Sequence, residues 1–385
     1  MPTISGPQIV AFRLSSHNLV RRLGPRSLIR AGAACGIQET PSGSAAIALC
    51  ARIDRLSPRT LEQALVRDRT LLHFWSLRGA PYVVPARDLA VFSAGAMPFD
   101  RASFDVFLGG WAPAIDAARL DPFDLIDRMT SATRALLDGR TLDVNELRDS
   151  LLKRVRRLSR ITRPKQTRHD MPEPLYRALG LAGVACIVAG RGTDSIMART
   201  DQWAGSPFGN ADVDGARAEL VRRFLHCYGP STPRRFAEWT GRSLRDGKAA
   251  FELVIGELAE VDHPEGRAWV LARDIKELDS PPEPAGARLL PVADPFLQQR
   301  DRATLVSDES ARKVLWRPVG GPGAVMVDGQ VVAIWRARAV RSRLHVTVEP
   351  FRRLARRQVE AIEQEAARLA PFRRCDSAEV SIDLP

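Results

Sequence analysis

Residues 71–84 have the sequence LLHFWSLRGAPYVV. Two short apolar runs, at residues 71–77 and 81–84, lie on either side of Arg78-Gly79. Apolar runs rich in aromatic and β-branched residues predict strands, and a glycine between them favours a tight turn. We therefore predict a β-hairpin whose tip carries a basic side chain.

Short helices are predicted in the segment before this hairpin. Residues 27–35 and 45–52 form two apolar helical stretches, and Ser57-Pro58 has the cap-then-proline order that begins another helix. Helices followed by a basic hairpin are typical of a winged helix-turn-helix unit. The polar turn at residues 36–43 is then the corner between two helices, and such a corner needs small and polar residues for structural reasons alone.

The same order of helices and hairpin recurs twice along the chain. The second repeat has helices at 121–137 and 141–158 and strands at 184–189 and 195–200, and the third has helices at 213–227, 232–239 and 244–258 and strands at 260–262 and 268–273. After Ser280 a proline-rich linker precedes strands at 325–327, 331–336 and 344–348 and an amphipathic helix at 351–369.

These repeats predict a mainly α fold with β-hairpins, of the α+β class. It contains three tandem winged helix-turn-helix units and a C-terminal β-rich element with a basic helix. The predicted boundaries are 1–110, 111–205 and 206–280 for the three units and 281–385 for the C-terminal element. The alternative is one irregular helical protein with three unrelated hairpins.

The charge of the chain indicates a polyanionic partner. The 385 residues include 57 lysines and arginines against 45 acidic residues, which gives a net charge of +12, and almost all of the basic residues are arginine. Arginine binds phosphate through two hydrogen bonds at once, so nucleic acid is the predicted partner. No apolar run is long enough to span a membrane and the first residues lack a signal-peptide pattern, so we expect a cytoplasmic protein.

Common catalytic and cofactor motifs do not occur in the sequence. It has no glycine-rich phosphate loop, no HExxH and no GxSxG. The five cysteines include no CxxC pair, and the six histidines lack the spacing of metal ligands. We therefore expect buried reduced thiols, and we predict neither a metal nor a cofactor.

Several collinear stretches carry a family resemblance. They are residues 35–38 with 45–52, 77–79 with 83–89, 229–233 with 239–241, 290–296, 327–329 and 334–336. Together they resemble the winged-helix DNA glycosylase family, the AlkZ/YcaQ-like azinomycin-resistance and crosslink-repair glycosylases. The resemblance implies three tandem winged helices that form a C-shaped basic cleft for double-stranded DNA.

The resemblance also implies an activity. It indicates a monomeric, monofunctional, nucleoid-associated glycosylase that hydrolyses the N-glycosidic bond of N7-alkylated purines or interstrand crosslinks. The reaction would need no metal or cofactor, and it would serve DNA repair or antibiotic self-resistance.

The resemblance places the catalytic motif in the polar turn, where this chain departs from the family pattern. The family usually has glutamine, an apolar residue and then glutamine or aspartate, whereas this turn contains Gln38-Glu39-Thr40. We predict that Gln38 and Thr40 hold the attacking water. Glu39 offers a carboxylate that would stabilise an oxocarbenium-like sugar, although in an extended segment it points to the opposite side.

A second departure affects the hairpin tip. The family's Arg-Gly-Thr-x-His is replaced by residues 78–82, RGAPY, which lack the hydroxyl and the imidazole. The predicted DNA-binding residues are Arg78, Tyr82, Arg191, Arg199, Arg234, Arg235 and Arg300. Because both motifs are altered, a second hypothesis stays open: a non-catalytic winged-helix DNA-binding protein that shields or senses lesions or regulates transcription.

Overall fold

A computed structural model describes residues 3–161, 172–190, 192–205 and 212–383. In chain order the helices are α1 (Gly6–Ser16), α2 (Leu28–Ala33), α3 (Ser44–Arg52), α4 (Pro58–Glu62), α5 (Leu89–Phe92), α6 (Arg101–Leu108), α7 (Ala112–Ala117), α8 (Pro122–Leu136), α9 (Val144–Arg154), α10 (Glu173–Leu181), α11 (Thr200–Ala204), α12 (Val213–Tyr228), α13 (Pro233–Thr240), α14 (Leu244–Glu252), α15 (Ile275–Asp279), α16 (Arg302–Leu305), α17 (Glu309–Leu315) and α18 (Arg356–Leu369). The strands are β1 (Ile37–Gln38), β2 (Leu71–Trp75), β3 (Pro81–Pro85), β4 (Leu142–Asp143), β5 (Ala185–Ala189), β6 (Ile196–Arg199), β7 (Leu258–His263), β8 (Gly266–Leu271), β9 (Ala287–Leu290), β10 (Gly323–Val327), β11 (Gln330–Val340), β12 (Arg343–Pro350) and β13 (Ser377–Ile382).

The chain forms two compact units. The terminal unit comprises Met1–Glu62, Arg223–Thr232 and Gly256–Pro385, and the inserted unit comprises Gln63–Arg222 and Pro233–Ile255. Each unit has an apolar core of its own.

The main sheet of the terminal unit has the strand order β13-β12-β11-β10-β9. Pairing is antiparallel from β9 to β12, and β13 joins β12 in parallel. Because side chains alternate between the two faces of a strand, Val325 and Val327 pack in a cluster with α18, whereas Ala324 and Met326 pack in a cluster with α1. Helix α3 contributes side chains to both clusters, which fixes the position of the turn before it.

A two-stranded hairpin, β7-β8, also belongs to the terminal unit. The strands pair in an antiparallel register. Val261 of β7 and Val270 of β8 pack against Ile9 and Phe12 of α1. The third predicted hairpin is therefore confirmed, and it contributes to the core around the first helix.

The sheet of the inserted unit contains the neighbouring strands β3-β2-β5-β6-β4. Strands β2 and β3 form the first predicted hairpin, and β5 and β6 form the second. His73 of β2 pairs with Ile187 of β5, so the two hairpins are joined in one sheet. The core of this unit includes Trp75 of β2, Phe104 of α6 and Met129 of α8.

The observed mixture of helices and strands agrees with the predicted α+β class, and α18 accounts for most of the predicted C-terminal helix. Strands β9 and β13 were not predicted. The winged-helix character of the repeats and the boundaries at residues 110, 205 and 280 remain predictions. In the part of the chain that the structure describes, no helix has the length and apolar character needed to cross a bilayer.

Candidate catalytic turn and DNA-binding residues

The predicted catalytic motif lies in the turn between β1 and α3. Ile37 is buried, Gln38 and Glu39 are half-buried, and Thr40 is exposed. Gly43 closes the turn with a φ of 90°, a left-handed conformation that glycine adopts without strain, and α3 begins at the next residue. The turn therefore exposes Thr40 to solvent and keeps Gln38 partly shielded.

Glu39 caps the start of helix α3. One carboxylate oxygen accepts a hydrogen bond from the backbone N–H of Gly43 at 2.6 Å, and the other accepts one from Ala45 at 2.7 Å. The first N–H groups of a helix have no partner within the helix, and the helix dipole favours a negative charge beside them. Both oxygens of Glu39 are thus bonded to the backbone of its own turn, so the carboxylate is not a solvated surface group.

Gln38 is held by a residue far away in the sequence. Nε2 of Gln298 donates a hydrogen bond to Oε1 of Gln38 at 3.1 Å and another to the carbonyl of Ala293 at 3.1 Å. Gln298 is the last residue of the short 3-10 helix Pro295–Gln298. Sequence reasoning missed Gln298, and the available signal was its position two residues after the stretch 290–296 that carries the family resemblance.

A buried ion pair joins α3 to the segment that carries Gln298. The two terminal nitrogens of Arg52 donate to the two carboxylate oxygens of Asp294, each at 2.8 Å, and both side chains are at most 1% exposed. Burial alone would lower the pKa of Arg52, but the carboxylate of Asp294 raises it above its ordinary value. Asp294 also accepts from the backbone N–H of Phe296, so the ion pair fixes the start of the 3-10 helix against α3.

Comparison with known proteins identifies the family of this chain. The family model described as DNA glycosylase AlkZ-like matches residues 31–372, which is most of the chain and includes the whole candidate turn. The chain belongs to the AlkZ-like DNA glycosylase family. It is therefore an enzyme, a DNA N-glycosylase, and the resemblance noted in the sequence is confirmed.

A curated relative and a solved structure agree with this assignment. The chain is 27% identical over 372 residues to an interstrand DNA cross-link repair glycosylase of Streptomyces sahachiroi, which covers 94% of this chain and 95% of that protein. The solved structure of Streptomyces sahachiroi DNA glycosylase AlkZ is similar with a TM-score of 0.76 and 24% identity, and the match covers 99% of this chain and 100% of that one. This AlkZ-like glycosylase therefore shares the fold of AlkZ.

In this AlkZ-like glycosylase the tip of the β2-β3 hairpin is tied to helix α13. Arg78 has a φ of 57°, and its guanidinium donates to the hydroxyl of Tyr82 at 3.2 Å and to the carbonyl of Trp239. A Cβ atom on Gly241 would lie 2.7 Å from Cγ of Arg78, so this approach requires a glycine. Tyr82 is 1% exposed. The core encloses its ring, and its role as a DNA contact stays a prediction.

Two other predicted DNA-binding arginines differ in how their charge is compensated. The guanidinium of Arg199 is paired with Asp138 at 2.7 Å and with Asp201 at 2.8 Å, and its side chain is 22% exposed. Arg234 is 79% exposed, and its Nε lies 3.2 Å from a carboxylate oxygen of Glu238. Arg234 is thus the better placed of the two to contact a phosphate.

The remaining predicted DNA-binding residues are less exposed or lie outside the described residues. Arg235 of α13 and Arg300, two residues after Gln298, are both half-buried. Arg191 falls outside the residues that the structure describes. Arg300 stays a candidate contact near the catalytic turn, since it follows the 3-10 helix that holds Gln38.

Proposed function

We propose that this AlkZ-like glycosylase excises N7-alkylated purines, including purines joined in interstrand crosslinks, from double-stranded DNA. The name of the relative from Streptomyces sahachiroi, an interstrand DNA cross-link repair glycosylase, supports this substrate class. The observation that carries the proposal is that the Glu39 carboxylate accepts hydrogen bonds from two backbone N–H groups at the start of α3. It leaves Gln38 and Thr40, two neutral side chains, as the motif residues that act on the substrate.

The chemistry of the leaving group suits a site without a strong acid. Alkylation at N7 makes the purine cationic, so the bond between C1′ and the ring nitrogen breaks with its electron pair moving into the purine. Water adds to C1′ and loses one proton to solvent, which yields the free alkylated base and an abasic sugar. The protein has to hold the water and favour the positively charged sugar of the transition state, and it need not protonate the base.

Gln38 and Thr40 provide the hydrogen-bonding groups for this water. The bond from Gln298 to Oε1 fixes the orientation of the Gln38 amide, which makes Gln298 a positioning residue. The ion pair between Arg52 and Asp294 holds the 3-10 helix that bears Gln298. The motif on this short turn is thereby supported by a half-buried hydrogen bond and a buried ion pair within the terminal unit.

The charge of the protein supports binding along the DNA backbone. A net charge of +12 favours contacts with phosphates that do not depend on base sequence. We propose that the hairpins β2-β3, β5-β6 and β7-β8 are the wings of three winged helix-turn-helix units and that the protein acts as a monomer in the cytoplasm, close to the nucleoid. The activity would serve DNA repair or antibiotic self-resistance, and a gene position within an antibiotic cluster would indicate the second role.

The proposal is tested with duplex DNA methylated at N7 of guanine. Under single-turnover conditions the wild-type protein should release free N7-methylguanine, and Gln38→Ala should lower that rate by on the order of 100-fold with DNA affinity almost unchanged. Gln364→Ala, an exposed glutamine on α18, is the matched control and should keep the wild-type rate. No release by the wild-type protein from methylated or crosslinked duplex would contradict the proposal.

A further inference from the structure

A buried cluster of side chains that could bind a metal ion includes a cysteine just before the catalytic turn. His17 follows α1, Cys35 precedes β1 by two residues, and Cys227 belongs to α12. One imidazole nitrogen and the two sulfur atoms all lie within 4.8 Å of one another, and all three residues are buried. None of the three was expected to share a site, because they are far apart in the sequence.

We propose that His17, Cys35 and Cys227 bind one thiophilic cation, Zn²⁺ or Cu⁺. Thiolate and imidazole are the ligands that these ions prefer, and the cluster contains no carboxylate that would favour Mg²⁺ or Ca²⁺. The inference goes beyond the excision of alkylated bases and does not depend on it.

The distances within the cluster are close to those of an occupied site. Metal–sulfur bonds of about 2.3 Å and metal–nitrogen bonds of about 2.0 Å place neighbouring ligand atoms of a tetrahedral site roughly 3.5–3.8 Å apart. Nδ1 of His17 is already 3.8 Å from Sγ of Cys35. With no pair of ligand atoms more than 4.8 Å apart, the site closes around an ion through small side-chain rotations.

The surroundings hold the imidazole of His17 in place. Its ring makes edge contacts with Tyr228 and Phe296, with centroid distances of 5.2 and 5.6 Å. Nε2 of His17 is buried and has no hydrogen-bond partner among the described residues. Since no second bond fixes the tautomer, the proton is free to reside on Nε2, and Nδ1 then presents its lone pair to the ion.

The location of the cluster indicates a structural role for the ion. Cys35 lies three residues before Gln38 in the sequence. The hydroxyl of Tyr228 lies 3.6 Å from Sγ of Cys35 and donates to the carbonyl of Pro295 at 2.9 Å, at the start of the 3-10 helix that carries Gln298. A bound ion would therefore brace both segments that hold Gln38, without contacting DNA.

The full-length protein, freed of metal with a chelator under reducing conditions, provides the test. Zn²⁺ and Cu⁺ are added in separate experiments, and native mass spectrometry counts the ions bound per chain. Co²⁺ serves as a spectroscopic probe, because thiolate ligands give it an intense charge-transfer absorption. We expect one ion per chain. The preferred cation is the one, Zn²⁺ or Cu⁺, that reaches this stoichiometry at the lower concentration of free metal.

Single substitutions show whether the ion binds at this site or at another cysteine. Cys35→Ser and Cys227→Ser should each lose the Co²⁺ absorption, whereas Cys186→Ser, a buried cysteine in the inserted unit, should retain it. X-ray absorption at the zinc edge of the wild-type protein needs no variant and should show two sulfur ligands and at least one nitrogen. No stoichiometric ion, or a coordination shell of oxygen atoms only, would overturn the proposal.

Discussion

At the scale of single residues, substitution of Glu39 distinguishes a structural role of its carboxylate from a catalytic one. Its two oxygens bind the N–H groups of Gly43 and Ala45. Glu39→Gln replaces one acceptor with an NH₂ group that faces a donor, so we expect a loss of stability of about 1–2 kcal/mol. On our proposal that this carboxylate caps α3 and that Gln38 and Thr40 act on the substrate, the excision rate should fall by less than about 10-fold.

Urea unfolding and single-turnover excision on the same preparation measure both effects of Glu39→Gln. The conservative variant Glu39→Asp keeps the charge on a shorter side chain and serves as the comparison. A rate loss on the order of 100-fold at unchanged stability would instead identify Glu39 as a catalytic residue.

Two substitutions test whether the hydroxyl of Thr40 takes part in excision: one removes the hydroxyl at constant side-chain shape, and the other provides a longer side chain. Thr40→Val keeps the shape and removes the hydroxyl, so we expect the excision rate to fall by on the order of 100-fold. Thr40→Gln restores the pattern of the family, and its longer amide should give an equal or higher rate. Release of N7-methylguanine is the measurement, with circular dichroism as the control for folding. Full activity of Thr40→Val would exclude the hydroxyl from the reaction.

At the scale of elements, we expect His73, at the junction of β2 and β5, to make the stability of the folded state depend on pH. Nε2 of His73 is buried without a hydrogen-bond partner among the described residues, and burial lowers the pKa of His73 to about 4. The same group titrates near pH 6.5 in the unfolded chain. The folded state favours the neutral ring, so its stability is complete above about pH 6.5 and falls as the pH drops toward 4.

The expected loss across this range is on the order of 2–3 kcal/mol. Thermal unfolding of the wild-type protein and of His73→Phe, measured from about pH 7.5 to 4.5, detects it. The phenylalanine variant should lack this part of the pH dependence, and identical pH profiles for the two proteins would show that His73 makes no such contribution.

Whether a feature could be predicted from the sequence depends on how far apart in the sequence its interacting residues lie. The hairpins β2-β3, β5-β6 and β7-β8 arise from local turn residues and local apolar runs, and the sequence contains both. The bond between Gln298 and Gln38 spans 260 residues, and the pair Arg52–Asp294 spans 242. No periodicity encodes such partners, because they are brought together by the packing of α3 on the sheet.

The role of Glu39 is local, yet it was not predicted either. Helix caps are recognised from serine, threonine, aspartate or asparagine directly before the first turn. Glu39 lies four residues before Gly43 and reaches the helix because the intervening turn folds back. The geometry of the turn, and not the residue type, decides what this carboxylate contacts.

At the scale of the whole molecule, the charge predicts a steep dependence of DNA binding on salt. Phosphate contacts release bound counterions, so affinity for an unmodified duplex should fall on the order of 100-fold or more between about 50 and 200 mM salt. Arg234→Ala should reduce the slope of log affinity against log salt by about 1, because this side chain is exposed. Arg199→Ala should change the slope much less, because two carboxylates already neutralise Arg199.

Fluorescence anisotropy with a labelled duplex at several salt concentrations measures these slopes. Equal effects of the two alanine variants would show that Arg199 leaves its carboxylate partners when DNA binds. An affinity for duplex that barely changes with salt would contradict backbone contacts as the main source of binding.

The cap at the start of α3 also has a consequence for DNA phosphates. Exposed N–H groups at the beginning of a helix attract phosphates, and this protein fills that position with a tethered anion of its own. A backbone phosphate that approaches the turn therefore meets a site that is already occupied and a negative charge that repels it. Where the family pattern has an apolar residue, that internal competitor is missing. We therefore expect the Glu39 carboxylate to steer the sugar–phosphate strand away from the start of α3 and to leave the approach to Gln38 and Thr40 to the uncharged face of the nucleotide.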